Sequence, residues 1–333
     1  MKFFAIAALL AAGASYAQNT PAPVAASTHS TAMTWKLATG YRAESFHGRN
    51  LAEFAQDVSQ ATEGKLLIDL HPNGSLAKLN DIQAAVQGGR AQAGETIMSS
   101  MVKEFPAAGA DSVPFVVSNY ADSLRLWQVQ RPGIERALAA RGLKVLYAAP
   151  WPPQGLYSKK PIAVDADFRG TKMRTYNHTT VRIAELLGAT SVDVPMVDVG
   201  KALAEGRLDN MITSSVTGSE NKVWSHIKYY YEVNAWFPKN IVFVNAEVFN
   251  ALPADMQRKV VTAADAAQTR GWAMSQVANA DATADLRANG IKVDRIPRDL
   301  ESKLKRLGEK FSREWVRSVG NEANTIFVPF YTQ

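Results

Sequence analysis

From residue 33 onward the apolar positions alternate between two periods, two residues and three to four. Residues 33–39 (MTWKLAT) alternate as a strand does, and Leu51, Phe54, Ala55 and Val58 then recur at the spacing of one helix face. Residues 65–70 (KLLIDL) predict a second strand, closed by the turn Pro72-Asn73-Gly74. Ile82, Ala85 and Val86 open a helix that stops at Gly88-Gly89. Strand, helix, strand, helix predicts a parallel sheet joined by right-handed crossovers.

A second unit of this kind follows Pro150-Trp151-Pro152-Pro153, a stretch too rich in proline to continue a helix or a central strand. Residues 171–174 read as a strand, 179–187 as a helix, 191–194 as a strand and 199–205 as a helix ending at Gly206. The run Ile241-Val242-Phe243-Val244 suits a buried strand. From Pro253 a helical pattern runs to Ala288, about 54 Å at 1.5 Å per residue, which exceeds one small domain and predicts a helix along two. Leu300, Leu304, Leu307, Phe311 and Trp315 form the apolar face of a last helix. The expected organisation is an α/β chain of two domains, 33–150 with 239–280 and 151–238 with about 281–298, followed by a C-terminal helix and tail over 299–333.

The first seventeen residues carry one charge, Lys2, then an apolar run of about ten residues and the small-x-small ending Ser15-Tyr16-Ala17. This reads as a secretory signal, too short to span a bilayer, followed by a disordered leader over 18–32. The expected destination is the periplasm, with the mature chain not embedded in a membrane. The 333 residues contain no cysteine, which removes thiolate nucleophiles, thiolate metal sites and disulfides. Lys+Arg 37 against Asp+Glu 31 is a mild excess, and the densest basic stretch, Lys303 to Arg306, lies on a helix with Glu301 and Glu309. That is a solvated helix face, and no nucleic-acid partner is expected.

Enzyme signatures are sparse. The five histidines, at 29, 47, 71, 178 and 226, include no HExxH and no pair at helical ligand spacing, so neither a metal nor another cofactor is expected. Phosphate-loop, dinucleotide and nucleophile-elbow motifs do not occur. Ser214 and Ser215 read as hydrogen-bonding loop residues, and no acid–base pair stands out, so no catalytic residue is assigned.

From Trp151 to Ala246 the pieces Phe168-Arg169-Gly170-Thr171-Lys172-Met173-Arg174, Leu187-Gly188-Ala189, Val194-Pro195-Met196, Ala202-Leu203 and Gly206-Arg207-Leu208-Asp209 follow one another in order. With Thr62 to Lys65, Pro72 to Leu76 and Val113-Pro114-Phe115, this series resembles the DctP-type substrate-binding proteins of tripartite ATP-independent periplasmic (TRAP) transporters. The resemblance covers nearly all of 34–320. It implies a two-domain periplasmic-binding-protein fold, an interdomain ligand cleft, a long helix spanning both domains, a monomeric receptor, and delivery of an organic acid to a small and a large membrane subunit.

Arg174 ends a predicted strand just before a helix, where open α/β sheets present ligand-binding groups, and its planar fork matches a carboxylate. The resemblance gives Arg174 the ligand carboxylate and Asn177 a polar ligand-side position. The sequence departs from relatives that bind sugar acids in two places: Thr213 stands where an amide is expected, beside Ser214, and Gln154 stands where some members have arginine. Phe46, Trp151, Tyr176, Met196, Trp236 and Phe237 align with or flank cleft positions. One cation and aromatic walls predict a monocarboxylate with a flat or apolar body, captured without chemistry as the domains rotate about crossings near 151 and 238. A sugar acid or dicarboxylate, an exported enzyme of organic acids and a sensory module are the alternatives. Trp151 and Trp236 could equally be packing residues, and Trp127, Trp224, Trp272 and Trp315 are expected in the core.

Overall fold

The computed structural model describes Met1 and residues 32–332. The expected export signal and almost all of the leader lie outside the described residues. The chain begins with β1 (Met33–Thr39), α1 (Phe46–Ala61), β2 (Leu66–His71), α2 (Ile82–Gln87), β3 (Ala93–Ile97), α3 (Tyr120–Ala139) and β4 (Leu143–Pro150). It continues through β5 (Gln154–Ser158), β6 (Lys172–Thr175), α4 (His178–Leu187), β7 (Thr190–Asp193), α5 (Val199–Ala204), β8 (Asn210–Ser214), α6 (Ser215–Glu220) and β9 (Tyr229–Tyr231). Strand β10 (Lys239–Asn245), α7 (Ala246–Asn250), α8 (Ala254–Ala288), β11 (Lys292–Asp294), α9 (Arg298–Val319) and α10 (Asn321–Thr332) complete it.

The strands form two sheets, ordered β2-β1-β3-β10-β4 and β11-β9-β5-β8-β6-β7. The expected parallel pairing holds for β1 with β2 and β3, and for β6 with β7 and β8. Both sheets are nevertheless mixed: β10 runs antiparallel to β3 and β4, and β5 antiparallel to β8 and β9. A buried strand carries the same apolar run whichever way it points. Direction follows from the crossings, because a strand arriving from the other sheet has no crossover helix to turn it parallel.

Each sheet is covered on both faces, and successive residues supply opposite cores. Ile241 and Phe243 join Trp127, Ile134 and Leu138 on one face of the first sheet, while Val242 and Val244 join Leu51, Phe54 and Val260 on the other. In the second sheet Leu156 and Ile212 pack with Phe168 and Leu300, and Tyr157 and Met211 with Leu203 and Leu286. Helix α1 begins where Ser45 Oγ accepts the Gly48 N–H at 3.0 Å, and it buries the Leu51, Phe54 and Val58 face that its spacing predicts. The C-terminal tail expected after α9 is instead helix α10, with Ala323, Ile326, Phe327 and Phe330 buried against α3 and α9 at i, i+3, i+4, i+7.

Helix α8 is 35 residues long, about 52 Å, and serves both sheets. Its first half packs Met256, Val260, Ala264 and Ala267 on the first sheet, and Leu286 reaches the core of the second. Gly271 is where it comes closest to β4 and α1: a Cβ there would lie 2.8 Å from Ala149 Cβ and 2.8 Å from Asn50 Nδ2. Between the sheets the chain crosses before β5 and again before β10. These crossings are tied together, Trp151 N–H donating to Pro238 O at 2.7 Å and Gln154 N–H to Trp236 O at 3.0 Å. Asp111 fastens the second crossing. Its carboxylate accepts the Lys239 backbone N–H at 2.7 Å and stands 4.0 Å from Lys239 Nζ, both side chains being wholly enclosed. Burial pushes the Asp111 carboxyl up to about 6 against the pull of Lys239, and pushes the lysine down to about 8 against the pull of Asp111.

Gly271→Val forces α8 off β4 and is expected to cost about 1–3 kcal/mol, a loss of several degrees in Tm by circular dichroism. Asp111→Ala leaves a lysine buried without a counter-charge and is expected to cost about 3–5 kcal/mol in urea unfolding. Asp111→Asn keeps an acceptor for the Lys239 N–H and is expected to cost less.

Candidate functional site

A cleft of about 540 Å³ opens between the two sheets, within the range of about 300–1,000 Å³ usual for small-molecule sites. The carboxyl ends of the parallel strands feed it: Tyr41 follows β1, Asn73 and Gly74 follow β2, Ile97 ends β3, Arg174 lies on β6, and Thr213 and Ser214 end β8. Trp151 and Pro238, from the two tied crossings, also line it.

Arg174 is 3% exposed. Its Nε donates to Val194 O at 2.9 Å, its Nη1 to Thr213 Oγ1 at 3.4 Å, and its guanidinium carbon sits 4.8 Å from the centre of the Tyr176 ring. Among the described residues no carboxylate is ion-paired with it; Asp193, at the exposed rim of the cleft, attracts it from farther off. Burial pushes its pKa down to about 10, with Tyr176 and Asp193 opposing, and at neutral pH the side chain stays charged. A buried charge without a counter-ion is costly.

The Tyr176 hydroxyl donates to Gln154 Oε1 at 3.1 Å, and Gln154 Nε2 donates to Pro152 O at 2.8 Å. Burial raises the Tyr176 hydroxyl above its ordinary value, against the pull of Arg174. On the floor of the cleft Thr213 Oγ1 donates to Thr217 Oγ1 at 3.0 Å, Thr217 Oγ1 and Ser214 Oγ share a bond of 3.2 Å, and Ser214 Oγ caps α6 by accepting the Thr217 N–H. The expected loop around Ser214 and Ser215 is therefore the end of a strand and the start of a helix. Its hydroxyls meet because Thr217, in the first turn of α6, reaches back to both Thr213 and Ser214.

The opposite wall is aromatic. Tyr41 meets Trp151 edge-on, ring centres 5.1 Å apart, and Phe46 backs Trp151 at 5.5 Å. A buried polar chain fixes this wall: Trp151 Nε1 donates to Asn240 Oδ1 at 2.8 Å, Asn240 Nδ2 to Glu95 Oε1 at 3.0 Å, and Thr39 Oγ1 to Glu95 Oε2 at 2.7 Å, with His47 Nδ1 3.2 Å from Glu95 Oε1. Burial alone would raise the Glu95 carboxyl, but His47 and the bonds from Thr39 and Asn240 outweigh it and hold the group below its ordinary value.

Seven of the sequence-predicted residues thus meet at the cleft: Trp151, Gln154, Arg174, Tyr176, Met196, Thr213 and Ser214. Four lie elsewhere. Asn177 caps α4, its Oδ1 accepting the Thr180 N–H at 2.9 Å, because the chain turns away from the cleft immediately after Tyr176. Phe46 lies behind Trp151 and borders a surface hollow with Val216 and Ala282. Trp236 and Phe237 are enclosed in two hydrophobic cores, one under the second sheet and one beside α3 and α9, and reach the site only through their backbone and through the Trp236 indole N–H, which is directed at the Tyr176 oxygen from behind. Of the core tryptophans, Trp127, Trp272 and Trp315 are buried, whereas Trp224 sits half-buried on a short turn. Sequence reasoning missed Tyr41, Thr217 and the Glu95–Asn240 support. Tyr41 was findable, since it directly follows a strand predicted to be parallel; Glu95 and Asn240 carry no local signal.

The profile of the bacterial extracellular solute-binding proteins, family 7 (DctP), matches residues 37–317. The crystal structure of DctP6, a Bordetella pertussis extracytoplasmic solute receptor binding pyroglutamic acid, is 36% identical, covers 90% of this chain and 100% of its own, and superposes with a TM-score of 0.88. A marine-metagenome TRAP solute binding protein specific for pyroglutamate is also 36% identical over 91% of this chain and 99% of its own, with a TM-score of 0.88. A solute-binding protein of Albidiferax ferrireducens is 25% identical over 223 residues, 65% of either chain. A profile match across most of the two-sheet fold, with near-complete superposition on such receptors, places the chain in that family: it belongs to the DctP-type solute-binding proteins of TRAP transporters.

Proposed function

We propose that the protein captures a small cyclic monocarboxylate of the pyroglutamate type in the periplasm and hands it to the membrane subunits of a TRAP transporter. The observation that carries this reading is Arg174, a buried guanidinium open to the cleft and unmatched by any carboxylate among the described residues. Two parallel charge-assisted hydrogen bonds to a ligand carboxylate complete its coordination. Tyr41, Trp151 and Met196 offer a flat or apolar body dispersion and stacking, the latter worth about 0.5–1.5 kcal/mol beyond area burial. Gln154 spends its amide on Pro152 and Tyr176, so a second carboxylate finds no cation at that wall, and Lys78, the other cation of the cleft lining, is exposed to solvent. The 36% identity to two receptors of pyroglutamate over about nine-tenths of this chain supports the same class.

Capture follows from the two-sheet architecture. A ligand held by Arg174 from the second sheet meets Tyr41 and Asn73 from the first, so contacts to both favour the closed arrangement. The proposed hinge is the tied pair of crossings at 151–153 and 235–238. No bond in the ligand is broken. The export signal expected over 1–17 supports the periplasmic compartment that this role requires.

Arg174→Ala is expected to weaken pyroglutamate binding about thirty-fold or more by calorimetry, since breaking a desolvated ion pair costs about 2–5 kcal/mol. Arg174→Lys is expected to restore only part of it, because an ammonium lacks the planar fork. Unchanged affinity in a folded Arg174→Ala protein would remove Arg174 from the site. In a thermal-shift screen of mono- and dicarboxylates, sugar acids and aromatic acids, cyclic monocarboxylates are expected to raise Tm most, by the mass-action stabilisation of about 2.7 kcal/mol at a hundredfold excess over Kd. A response confined to uronates would replace the proposed ligand class.

A further inference from the structure

Which atoms own the hydrogens around Arg174 is fixed by groups that can only donate or only accept. The Pro152 carbonyl only accepts, so the Gln154 amide nitrogen must face it, and the Gln154 oxygen must face Tyr176. That oxygen also only accepts, so the bond of 3.1 Å takes the one hydrogen of the Tyr176 hydroxyl. What Tyr176 keeps is acceptor capacity alone: the Trp236 indole N–H is directed at this oxygen on the core side, and a lone pair remains beside the guanidinium. The guanidinium in turn only donates. It gives a hydrogen to Thr213, Thr213 gives its own to Thr217, and Thr217 and Ser214 share one further bond, Ser214 also accepting the Thr217 backbone N–H. Two hydroxyls that share one bond have one hydrogen left over between them, and both Ser214 and Thr217 line the cleft.

We propose that the cleft recognises a hydrogen-bond donor adjacent to the ligand's carboxyl-bearing carbon, and that Tyr176 reads it, with its oxygen as an obligate acceptor held in that state by Gln154. This rests on the carboxylate-receptor reading above and adds the polarity of the rest of the ligand. A carboxylate on Arg174, an N–H on Tyr176 and a carbonyl on the Ser214–Thr217 hydroxyl pair together describe a cyclic amide acid. A ring ether or ester in place of the N–H sets two acceptors against each other, and a methylene leaves the cleft-facing lone pair of the tyrosine oxygen without a partner.

The test compares two probes of one shape by titration calorimetry: pyroglutamate, and the matching lactone acid, in which a ring oxygen replaces the N–H. The wild-type chain is expected to bind the lactone at least about tenfold more weakly, as sites built to hydrogen-bond an N–H reject analogues that lack it. Tyr176→Phe keeps the ring against Arg174 and is expected to bring the ratio within about threefold, chiefly through weaker lactam binding. Gln154→Met returns the hydrogen to Tyr176, which can then donate to the lactone, and is expected to narrow the ratio as well. Equal wild-type affinity for both acids would overturn the inference and leave the carboxylate reading intact. A tenfold ratio that persists in folded Tyr176→Phe protein would remove Tyr176 as the reader. If neither acid binds and a uronate does, the proposed ligand class fails and this inference falls with it.

Discussion

A guanidinium held out of water, with no carboxylate paired to it among the described residues, is the constraint on which the architecture turns. The protein answers it only in part. Val194 O and Thr213 Oγ1 each accept one hydrogen bond from Arg174, and the ring of Tyr176 lends its face. These partners orient the fork without neutralising it, since neutral acceptors recover less of the solvation free energy of a buried charge than an anion does. That unmet charge is what the proposed ligand carboxylate would answer, since its two oxygens match the planar fork.

Holding such a group in register needs rigid surroundings on both sides of the cleft. On the second sheet, β6 is paired in parallel with β7 and β8, so Arg174 and Thr213 are fixed by the same ladder. On the first, the Trp151 indole is anchored through Asn240 to the Glu95 carboxylate, which is ionised because His47, Thr39 and Asn240 together outweigh its burial. Trp151 is also bonded through its backbone to the second crossing. One residue is thus both wall and joint, which ties the shape of the cleft to the relation between the sheets. The enclosed Asp111–Lys239 pair fastens the same joint from behind.

Much of the fold was legible along the chain. The face of α1 at Leu51, Phe54 and Val58, the length of α8 and the stripe of α9 follow from period alone, since each buries one face against a core it cannot avoid. Strand direction was not legible. The run Ile241 to Val244 reads the same in either orientation, and only the return from the second sheet sets it antiparallel between β3 and β4. Helix α3 carries Pro132 within its span, a residue that argues against a helix locally; the packing of Leu126, Trp127, Ile134 and Leu138 overrides it. The last twelve described residues form α10 for a similar reason, because Ile326 and Phe330 have α3 and α9 to pack on.

The site divides along the same line. The sequence by itself determined that a charged fork stands at the end of a strand at Arg174, that hydroxyls at 213 and 214 and an amide at 154 replace more strongly charged or polar groups, and that aromatic residues gather near both crossings. Those are statements about residue type and strand ends, which local pattern carries. Tertiary structure decided which side chains turn toward the cleft: Asn177 is spent on a helix cap, Trp236 and Phe237 are drawn into cores, and Tyr41, Glu95 and Asn240 are brought in from strands far apart in sequence. It also decided which hydrogens remain free, because Tyr176 meets Gln154 across 22 positions and Arg174 meets Thr213 across 39, and no local pattern encodes such partners.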